Sequence, residues 1–345
     1  MKAVIFKGPH NYGVEDIPMP QILDREIMIK VNACGLCGSD LRTLKYGHRK
    51  IVPPHIIGHE ISGEITQIGS KAQTDWKIGT SLAIAPVVYC GSCIFCRQNK
   101  YEFCENYQEI GQAWQGGFAE YIALPENVLS NGVIHPIPSS LSPIQATISE
   151  PLSACLHALD RVDFRNVHNA VVFGAGTIGC LLLQLLHNIG VEHITILDPN
   201  ESRLEIARSF NPSSAIDASN PSVIERVKQI TSESGVEVVF TATAAPIAQN
   251  QALEVISNGG QIVIFSGLPK DQAKLQVDFN QIHYRNLKLI GTSIYNPDHH
   301  QKAIEMIADD TIKVDRIITT YALQDFIKGS QAALDGKIIK AVFVP

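Results

Sequence analysis

The sequence contains no run of like-charged residues, no internal repeat and no low-complexity segment. Its 345 residues carry 28 Lys and Arg against 34 Asp and Glu, so the charge pattern indicates neither a nucleic-acid footprint nor an attraction to anionic membranes. These absences favour a small-molecule partner, with no nucleic acid and no membrane. The length predicts two domains, each with its own hydrophobic core.

The N-terminus lacks the features of an exported protein. The apolar run before Lys7 is too short for a signal peptide, and no small-residue cleavage pattern follows it. Residues 169–191 carry no acidic side chain, Lys or Arg, but Gly174, Gly176 and Gly179 break this stretch as a turn does, so we expect a buried strand, turn and helix. We therefore expect a cytoplasmic protein, in which clustered cysteines are metal ligands before they are disulfides.

The two halves of the chain differ in their hydrophobic pattern. Residues 1–152 contain short β-rich runs between Gly and Pro turns, which predicts a mainly β domain. Residues 153–291 alternate apolar β runs with helical patterns, which predicts an α/β domain with a doubly wound parallel sheet. The segment 292–345 ends in a strand-like run, Ile338 to Val344, and is expected to complete the first domain.

The loop GAGTIG, residues 174–179, follows the apolar run AVVF and precedes a helical pattern. Such a loop holds a dinucleotide pyrophosphate on backbone amides at a helix N-terminus. A second strand, HITIL, leads into Asp198, whose carboxylate suits ribose hydroxyls and repels a 2′-phosphate, so NAD is predicted over NADP. Arg203 is either a ribose contact or a solvated helix residue. The predicted cofactor-binding residues are Gly174, Gly176, Thr177, Ile178, Gly179, Asp198 and Arg203.

Four of the eight cysteines, Cys90, Cys93, Cys96 and Cys104, follow the spacing C-x2-C-x2-C-x7-C. Four thiolates with this spacing are typical of a tetrahedral zinc site in which the protein takes every coordination position. Because a closed site has no place for substrate, we predict a structural zinc that supplies folding free energy to a loop with few apolar residues. Unpaired surface thiols or a redox cluster are the alternative.

A second set of ligand residues is spread more widely along the chain. Cys37 lies in CGLCGSD, His59 and Glu60 lie in GHE, and Glu150 lies in SEP, each in or beside a Gly or Pro turn. A sulfur, an imidazole and a carboxylate with an open fourth position define a catalytic zinc site. These residues leave open whether Glu60 or Glu150 is the third ligand. The remaining cysteines, predicted to be packed in the interior, are Cys34, Cys155 and Cys180.

Taken in order, these motifs resemble the zinc-dependent medium-chain dehydrogenases. The motifs are CGSD from Cys37, GHE from Gly58, the four-cysteine loop, GGFAEY from Gly116, SEPL from Ser149 and GAGTIG from Gly174. The stretch SEPLS followed by LHA resembles the polyol branch, which includes sorbitol and galactitol-phosphate dehydrogenases. The resemblance implies a GroES-like mainly β catalytic domain, a Rossmann NAD-binding domain, and a homodimer or homotetramer.

The resemblance also implies an activity. One catalytic and one structural zinc per chain are expected, with hydride transfer between NAD and a secondary hydroxyl of a polyol or polyol phosphate. Ser39 matches the hydroxyl that begins the proton relay in this family, and Arg42 stands where several relatives carry a relay histidine. Tyr295 resembles a substrate tyrosine of sorbitol dehydrogenase, although Ile294 stands where that enzyme has an arginine. Tyr295 and Arg42 are therefore the candidate substrate contacts.

Three questions stay open on the sequence. The basic cluster of Lys45, His48, Arg49 and Lys50 is either a site for a sugar phosphate or a solvated loop. The same scaffold also serves L-threonine or simple secondary alcohol dehydrogenases. A non-catalytic NAD-binding structural or regulatory protein is the alternative from another class, against which the full set of open-site ligands stands.

Overall fold

The computed structural model describes residues 1–231 and 235–345, which form two compact units. One unit contains Met1–Ser153 together with Ile294–Pro345, and the other contains Ala154–Ser293. No helix in these two described ranges is long and apolar enough to cross a membrane. The apolar stretch 169–191 forms a strand, a turn and a helix, as its glycines predict.

The secondary structure alternates in character along the chain. The strands are β1 (Lys2–Gly8), β2 (Asn11–Asp16), β3 (Ile27–Gly35), β4 (Glu60–Ile68), β5 (Ser81–Val88), β6 (Gln108–Glu109), β7 (Tyr121–Leu124), β8 (Gly132–Pro136), β9 (Asn169–Phe173), β10 (His193–Asp198), β11 (Ser214–Asp217), β12 (Val236–Thr241), β13 (Ile256–Ile264), β14 (Lys288–Gly291), β15 (Ile318–Ala322) and β16 (Lys340–Val344). The helices are α1 (Gly38–Tyr46), α2 (Ile94–Arg97), α3 (Glu126–Asn131), α4 (Pro143–Ala146), α5 (Ser149–Asp160), α6 (Thr177–Asn188), α7 (Glu201–Arg208), α8 (Val223–Ile230), α9 (Pro246–Val255), α10 (Phe279–Tyr284), α11 (Pro297–Ala308) and α12 (Phe326–Leu334).

The first unit is built mainly on antiparallel strands, and the C-terminal segment of the chain adds β15 and β16 to them. A large sheet has the order β15-β16-β3-β4-β5-β6, while β7 pairs with β3 and β8 pairs with β5. Strand β16 pairs antiparallel with β3 and places Val342 opposite Gly35. On the other side of β3, Glu60 also lies opposite Gly35. This register brings the C-terminal strand to the point of β3 where Glu60 begins β4.

Aromatic packing joins the C-terminal segment to the core of the first unit. The ring of Phe326 lies 4.9 Å from that of Phe118 and 4.7 Å from that of Phe343, between ring centroids. All three side chains are fully buried. Burial of large aromatic side chains supplies much of the free energy of such a core, so the predicted return of residues 292–345 to the first domain has a physical basis.

The second unit contains a six-stranded sheet of parallel strands with the order β11-β10-β9-β12-β13-β14. Helices α6 to α10 follow its strands in turn, as the alternating pattern predicts. The strand order reverses between β9 and β12, and ligands of such sheets bind beyond the carboxyl ends of the strands at this point. The glycine loop follows β9 directly and therefore lies at the reversal.

Candidate functional site

The four clustered cysteines converge on one point. Their sulfur atoms all lie within 4.8 Å of one another, and all four thiols are free. Cys93 caps the single turn α2 and its sulfur accepts a hydrogen bond from the amide of Cys96, while the amide of Cys93 donates to the sulfur of Cys90 at 3.4 Å. Local turns thus aim amide hydrogens at sulfur, which favours thiolates.

The electrostatics of this cluster suit a metal ion. The amides of Ser92 and Cys93 lower the pKa of Cys90 to about 6, which favours its thiolate at neutral pH. Burial raises the pKa of Cys96 to about 12, so this sulfur needs a cation to be ionised. Four convergent sulfur atoms match the donor set and closed geometry of structural zinc. These residues therefore fit the predicted ion.

A second cluster lies where α1 and β4 begin. One ligand atom each from Cys37, His59 and Glu60 lies within 4.8 Å of the others. Glu150, which the sequence leaves as an alternative ligand, does not belong to this group among the described residues. The mixed sulfur, nitrogen and oxygen donors suit an open zinc site, to which substrate can gain access.

Asp40 supports this cluster, and sequence reasoning did not identify it. The side chain is 4% exposed. One carboxylate oxygen accepts the backbone amide of Cys37 at 3.0 Å, and the other lies 3.2 Å from Nδ1 of His59. Burial acts to lower the pKa of His59, but Asp40 and Cys37 outweigh it and raise that pKa well above its ordinary value. A carboxylate that holds one imidazole nitrogen leaves the other for a metal ion.

Glu60 is buried against Lys340 near the end of the chain. Lys340 Nζ donates to Oε1 of Glu60 at 2.5 Å and to the carbonyl oxygen of Leu36 at 3.1 Å. Oε2 of Glu60 is also in ion contact with the ammonium group. A buried carboxylate beside a thiol and an imidazole offers the oxygen donor of a mixed-ligand metal site.

Glu150 occupies a separate position, held by Tyr295. The Tyr295 hydroxyl donates to Oε1 of Glu150 at 2.9 Å, and the backbone carbonyl of Tyr295 accepts the hydroxyl of Tyr89. Burial raises the pKa of Glu150 to about 7. Tyr295 itself is buried, which together with the Glu150 charge raises its pKa well above the ordinary value. The predicted substrate tyrosine thus contacts a predicted site carboxylate.

The other predicted residues of this region lie on α1 and the loop after it. Ser39 Oγ lies 3.4 Å from Nε2 of His59, which places the predicted relay hydroxyl beside a predicted ligand. Arg42 is exposed on α1. Lys50, in the following loop, has its ammonium 4.9 Å from the ring centroid of Tyr107. Substrate contact by Arg42 stays a prediction.

The glycine loop has the space that a pyrophosphate needs. A side chain at Gly174 or Gly179 would collide with backbone, since a Cβ at Gly179 would lie 1.7 Å from the carbonyl oxygen of Gly174. A Cβ at Gly176 would meet no atom within 4 Å, and no side chain caps α6 at this residue. Thr177, Ile178 and Gly179 form the first turn of α6. Open space in front of a helix N-terminus fits a bound anion.

Asp198 and Arg203 lie close to this loop. One oxygen of Asp198 accepts the amide of Ala175 at 2.8 Å and the other accepts the amide of Asn200, so the carboxylate joins the loop to the end of β10. Arg203 lies in the first turn of α7, where its backbone amide donates to the side chain of Asn200, and its buried Nε has no hydrogen-bond partner. An orphaned guanidinium nitrogen at this place suits an oxygen atom of a bound dinucleotide.

Comparison with known sequences identifies the class of protein. The family model described as "Alcohol dehydrogenase GroES-like domain" matches residues 23–138, and the one described as "Zinc-binding dehydrogenase" matches residues 177–309. The chain belongs to the zinc-dependent medium-chain dehydrogenases, with a GroES-like domain and a nucleotide-binding domain, and is an oxidoreductase. This confirms the family and the α/β fold class that the sequence motifs predict.

Individual relatives differ in their substrates. The chain is 30% identical to L-threonine 3-dehydrogenase of Rhizobium etli (99% of this chain, 98% of the relative) and 29% identical to D-arabitol-phosphate dehydrogenase of Enterococcus avium (99% and 97%). Among solved structures, a protein of Sinorhizobium meliloti 1021 assigned as a zinc-binding dehydrogenase and bound to NADP superposes with a TM-score of 0.90 at 28% identity, covering 100% of this chain and 99% of that chain.

Proposed function

We propose that this protein oxidises a secondary hydroxyl group of a polyol or polyol phosphate, with NAD as the hydride acceptor. The observation that carries this proposal is the grouping of Cys37, His59 and Glu60 within 4.8 Å, with the carboxylate of Glu150 as the next candidate ligand in place of a further cysteine. In the family that the motifs resemble, a carboxylate in this role distinguishes the polyol branch from simple alcohol dehydrogenases.

Different residues of the site would hold the two zinc ions and support the ligands of the first. Cys37, His59 and Glu60 would hold a zinc ion, which supplies Lewis-acid activation of the substrate oxygen. Asp40 fixes Nδ1 of His59 and the amide of Cys37, so two ligands share one support. Cys90, Cys93, Cys96 and Cys104 would hold the structural zinc, which stabilises their loop without touching the reaction.

Oxidation of the alcohol also releases a proton, for which the site has acceptors. Glu150, with a pKa raised to about 7, can exchange a proton near neutral pH. The hydroxyl of Tyr295 orients this carboxylate by its hydrogen bond to Oε1. Ser39, next to His59, stays the predicted start of the relay. NAD, when bound at the glycine loop, supplies the acceptor for the hydride.

NAD is proposed over NADP because of Asp198. A carboxylate at the end of β10 repels a 2′-phosphate and accepts ribose hydroxyls. Asp198 is 4% exposed and is fixed by the amides of Ala175 and Asn200, so it has little freedom to move away. The NADP in the Sinorhizobium meliloti structure makes this choice a point to test by experiment.

The basic residues on α1 and in the loop after it support a phosphorylated substrate. Arg42, Lys45, Arg49 and Lys50 make no ion pair within the described part of the chain. Burial lowers the pKa of His48, and although Glu109 opposes this, the charges of Lys50, Arg49 and Arg42 add to the lowering. The charges of Arg42, Arg49 and Lys50 thus act together on His48, and cations grouped in this way suit the oxygens of a phosphate group. D-Arabitol-phosphate dehydrogenase among the relatives favours the same chemistry.

L-Threonine is the second candidate substrate. The observation that favours it is the 30% identity to the L-threonine 3-dehydrogenase of Rhizobium etli over nearly the whole chain. Threonine also carries a secondary hydroxyl, so the same metal and cofactor chemistry would serve. Its recognition would need groups for an ammonium and a carboxylate in place of several hydroxyls or a phosphate.

The experiment is a screen of NADH formation. Sorbitol, galactitol and D-arabitol, their phosphates, L-threonine and 2-propanol are each tested with NAD and with NADP, and Cys37→Ala serves as the inactive control. The proposal expects turnover with polyols or their phosphates and NAD, lost in the control. Turnover with L-threonine alone would replace it by the second candidate, and no turnover by a zinc-loaded protein would contradict both.

We also infer a homodimer in the cytoplasm. Strand β14 forms one end of its sheet and, in residues 1–231 and 235–345, pairs only with β13. Leu289 on this strand is 44% exposed, and Phe279 and Tyr284 on the preceding helix are each 76% exposed. An open apolar edge of this kind favours pairing with a second copy. The cytoplasm is inferred because clustered cysteines that serve as metal ligands are typical of a reducing compartment. Light scattering on wild type and Leu289→Glu tests the dimer.

A further inference from the structure

Two histidines and a serine form a line of hydrogen bonds that ends beside Glu150. His135 on β8 and His300 on α11 approach each other through their Nδ1 atoms at 2.8 Å. Nε2 of His300 lies 2.9 Å from Oγ of Ser149, the first residue of α5. The sequence motifs assign no role to either histidine, and the proposed reaction does not use them.

The hydrogen bonds along this line all donate in one direction, from His135 through His300 to Ser149. Ser149 Oγ lies 2.7 Å from the carbonyl oxygen of Ala146, and because a carbonyl only accepts, the hydroxyl hydrogen points there. His300 must therefore donate from Nε2 to the hydroxyl oxygen, and its Nδ1 accepts from Nδ1–H of His135. Every polar atom of His300 thus has a defined partner when the ring is neutral.

The surroundings keep His300 neutral. Its side chain is 1% exposed, and burial, with a smaller contribution from His135, lowers its pKa to about 3. A buried imidazole costs desolvation that an apolar side chain of similar size avoids, unless its hydrogen bonds compensate. The two bonds to Ser149 and His135 supply that compensation, which separates His300 from a residue that only fills space.

The segment that carries His300 also holds the residue after Ser149. Tyr295 donates to the carboxylate of Glu150 at 2.9 Å. Ser149 and Glu150 are consecutive at the start of α5. The chain between Tyr295 and His300 therefore contacts the first two residues of α5, one contact on the carboxylate and one on its neighbour.

Backbone strain lies directly before this segment. Ile294 has a φ of 64°, in the left-handed region that a β-branched residue rarely adopts. A residue in this region costs on the order of 1–3 kcal/mol and persists only where surrounding contacts impose it. The bonds of Tyr295 to Glu150 and of His300 to Ser149 are contacts that hold the chain on the C-terminal side of Ile294.

We propose that His300, supported by His135, is a positioning residue that fixes the Glu150 carboxylate through the Ser149 hydroxyl. His300 touches neither substrate nor metal ligand and acts through Ser149. The consequence for turnover rests on the proposed function, in which Glu150 serves the reaction. The consequence for the metal site rests instead on Glu150 as the next candidate zinc ligand, and release of zinc can be followed without any substrate.

The test compares two substitutions of His300 in the full zinc-loaded chain. His300→Leu removes the donor to Ser149 while keeping an apolar group of related volume. His300→Gln keeps an N–H at a similar distance from the backbone. Ser149→Ala removes the acceptor, and the double variant His300→Leu with Ser149→Ala tests whether both act on one line. His168→Leu, an exposed histidine 3.2 Å from Glu192, is the matched control.

Two quantities are measured, namely kcat and KM with the substrate found in the screen, and the rate at which a chelator removes the more labile zinc. Loss of a supporting residue typically lowers metal affinity or activity by about 10- to 100-fold. We expect such a fall in kcat with little change in KM, and faster zinc release, for His300→Leu and Ser149→Ala. The double variant should be no worse than either single one, and His300→Gln should recover most of both quantities.

Wild-type kcat and zinc release in His300→Leu would overturn the proposal, as would equal impairment in His300→Gln, since a donor would then be irrelevant. If His300→Leu fails to fold, Ser149→Ala and His300→Gln decide in the same way. If the wild type turns over no tested alcohol, the proposed function fails, and zinc release alone decides on His300.

Discussion

Lys340, near the end of the chain, places its ammonium on the buried carboxylate of Glu60, 280 positions earlier in the sequence. The side chains are 3% and 0% exposed. Gly35 lies between them on β3, and a Cβ there would come within 2.1 Å of Glu60 Oε2 and 3.1 Å of Lys340 Cε. The absence of a side chain at Gly35 thus lets a C-terminal residue neutralise a carboxylate of the proposed metal site.

Removal of this ammonium should destabilise the protein strongly. In the metal-free protein, Lys340→Met leaves the Glu60 charge buried without a partner, which costs about 3–5 kcal/mol in comparable pairs. Lys337→Met is the matched control, because Lys337 pairs with Asp335 at 2.9 Å on the surface, where such pairs contribute about 0–1 kcal/mol. Urea unfolding of both variants measures the difference. Equal midpoints would show that Glu60 is neutralised in some other way.

The two proposed zinc sites should respond differently to loss of a cysteine. Cys37→Ala removes a ligand of the open site and should lower kcat by at least about 100-fold, while NAD binding and the unfolding midpoint change little. Cys93→Ala removes a ligand of the closed site. Its main effect should be a lower unfolding midpoint, before any direct effect on turnover, because that metal supplies folding free energy. Zinc content, NAD titration and thermal unfolding are compared. Equal loss of stability in both variants would contradict the division between a catalytic and a structural site.

The predictable part of the fold is the part with continuous apolar runs. The runs at 170–173 and 194–197 lie within β9 and β10, and their burial on both faces is what the pattern predicts. The pattern does not predict β8, since His135 and Pro136 interrupt its short apolar run. It also does not predict β11, which has four residues and one buried side chain. Short strands at the periphery carry too little local signal.

The same limit applies to the candidate site. The four-cysteine cluster can be predicted because its ligands lie close together in the sequence. Asp40 is hidden in the motif CGSD, where only the structure shows it bonded to both Cys37 and His59. Lys340 gives no local signal, because its contact with Glu60 depends on the pairing of β16 with β3 and of β3 with β4. Contacts set by strand register cannot be read from a single segment.

Two glycines of the nucleotide loop should behave differently when replaced by alanine. A Cβ at Gly176 meets nothing within 4 Å, so Gly176→Ala should fold normally but raise the KM for NAD by about 10-fold or more, because the methyl group occupies pyrophosphate space. A Cβ at Gly179 would lie 1.7 Å from a carbonyl oxygen, so Gly179→Ala should lose about 1–3 kcal/mol of stability. Thermal unfolding and NAD kinetics separate the two. A normal KM in Gly176→Ala would place the pyrophosphate elsewhere.

Asp198 should determine the choice between NAD and NADP. Asp198→Asn removes the negative charge and keeps an oxygen acceptor for only one of the two amides, those of Ala175 and Asn200, that the carboxylate accepts. The ratio of kcat/KM for NADP to that for NAD should rise by about 10-fold or more, since about 1.4 kcal/mol of lost repulsion corresponds to a factor of ten. Asp217→Asn, at the end of the neighbouring strand β11, is the matched control. An unchanged ratio in Asp198→Asn would show that other groups exclude the phosphate.

His300 should make the folded protein sensitive to acid. Burial first, and His135 second, lower its pKa from 6.5 to about 3, so between these values the unfolded chain binds a proton that the native chain does not. The free energy of unfolding therefore suffers no loss from His300 above pH 6.5. Below that value it falls as the pH falls towards 3. His300→Gln removes this proton, so its stability should decline less steeply than that of wild type, by about 1.4 kcal/mol per pH unit over that range. Urea unfolding at a series of pH values measures both slopes. Carboxylates contribute equally to the two proteins, so parallel curves would mean that His300 is already protonated in the native state or that its pKa is not lowered.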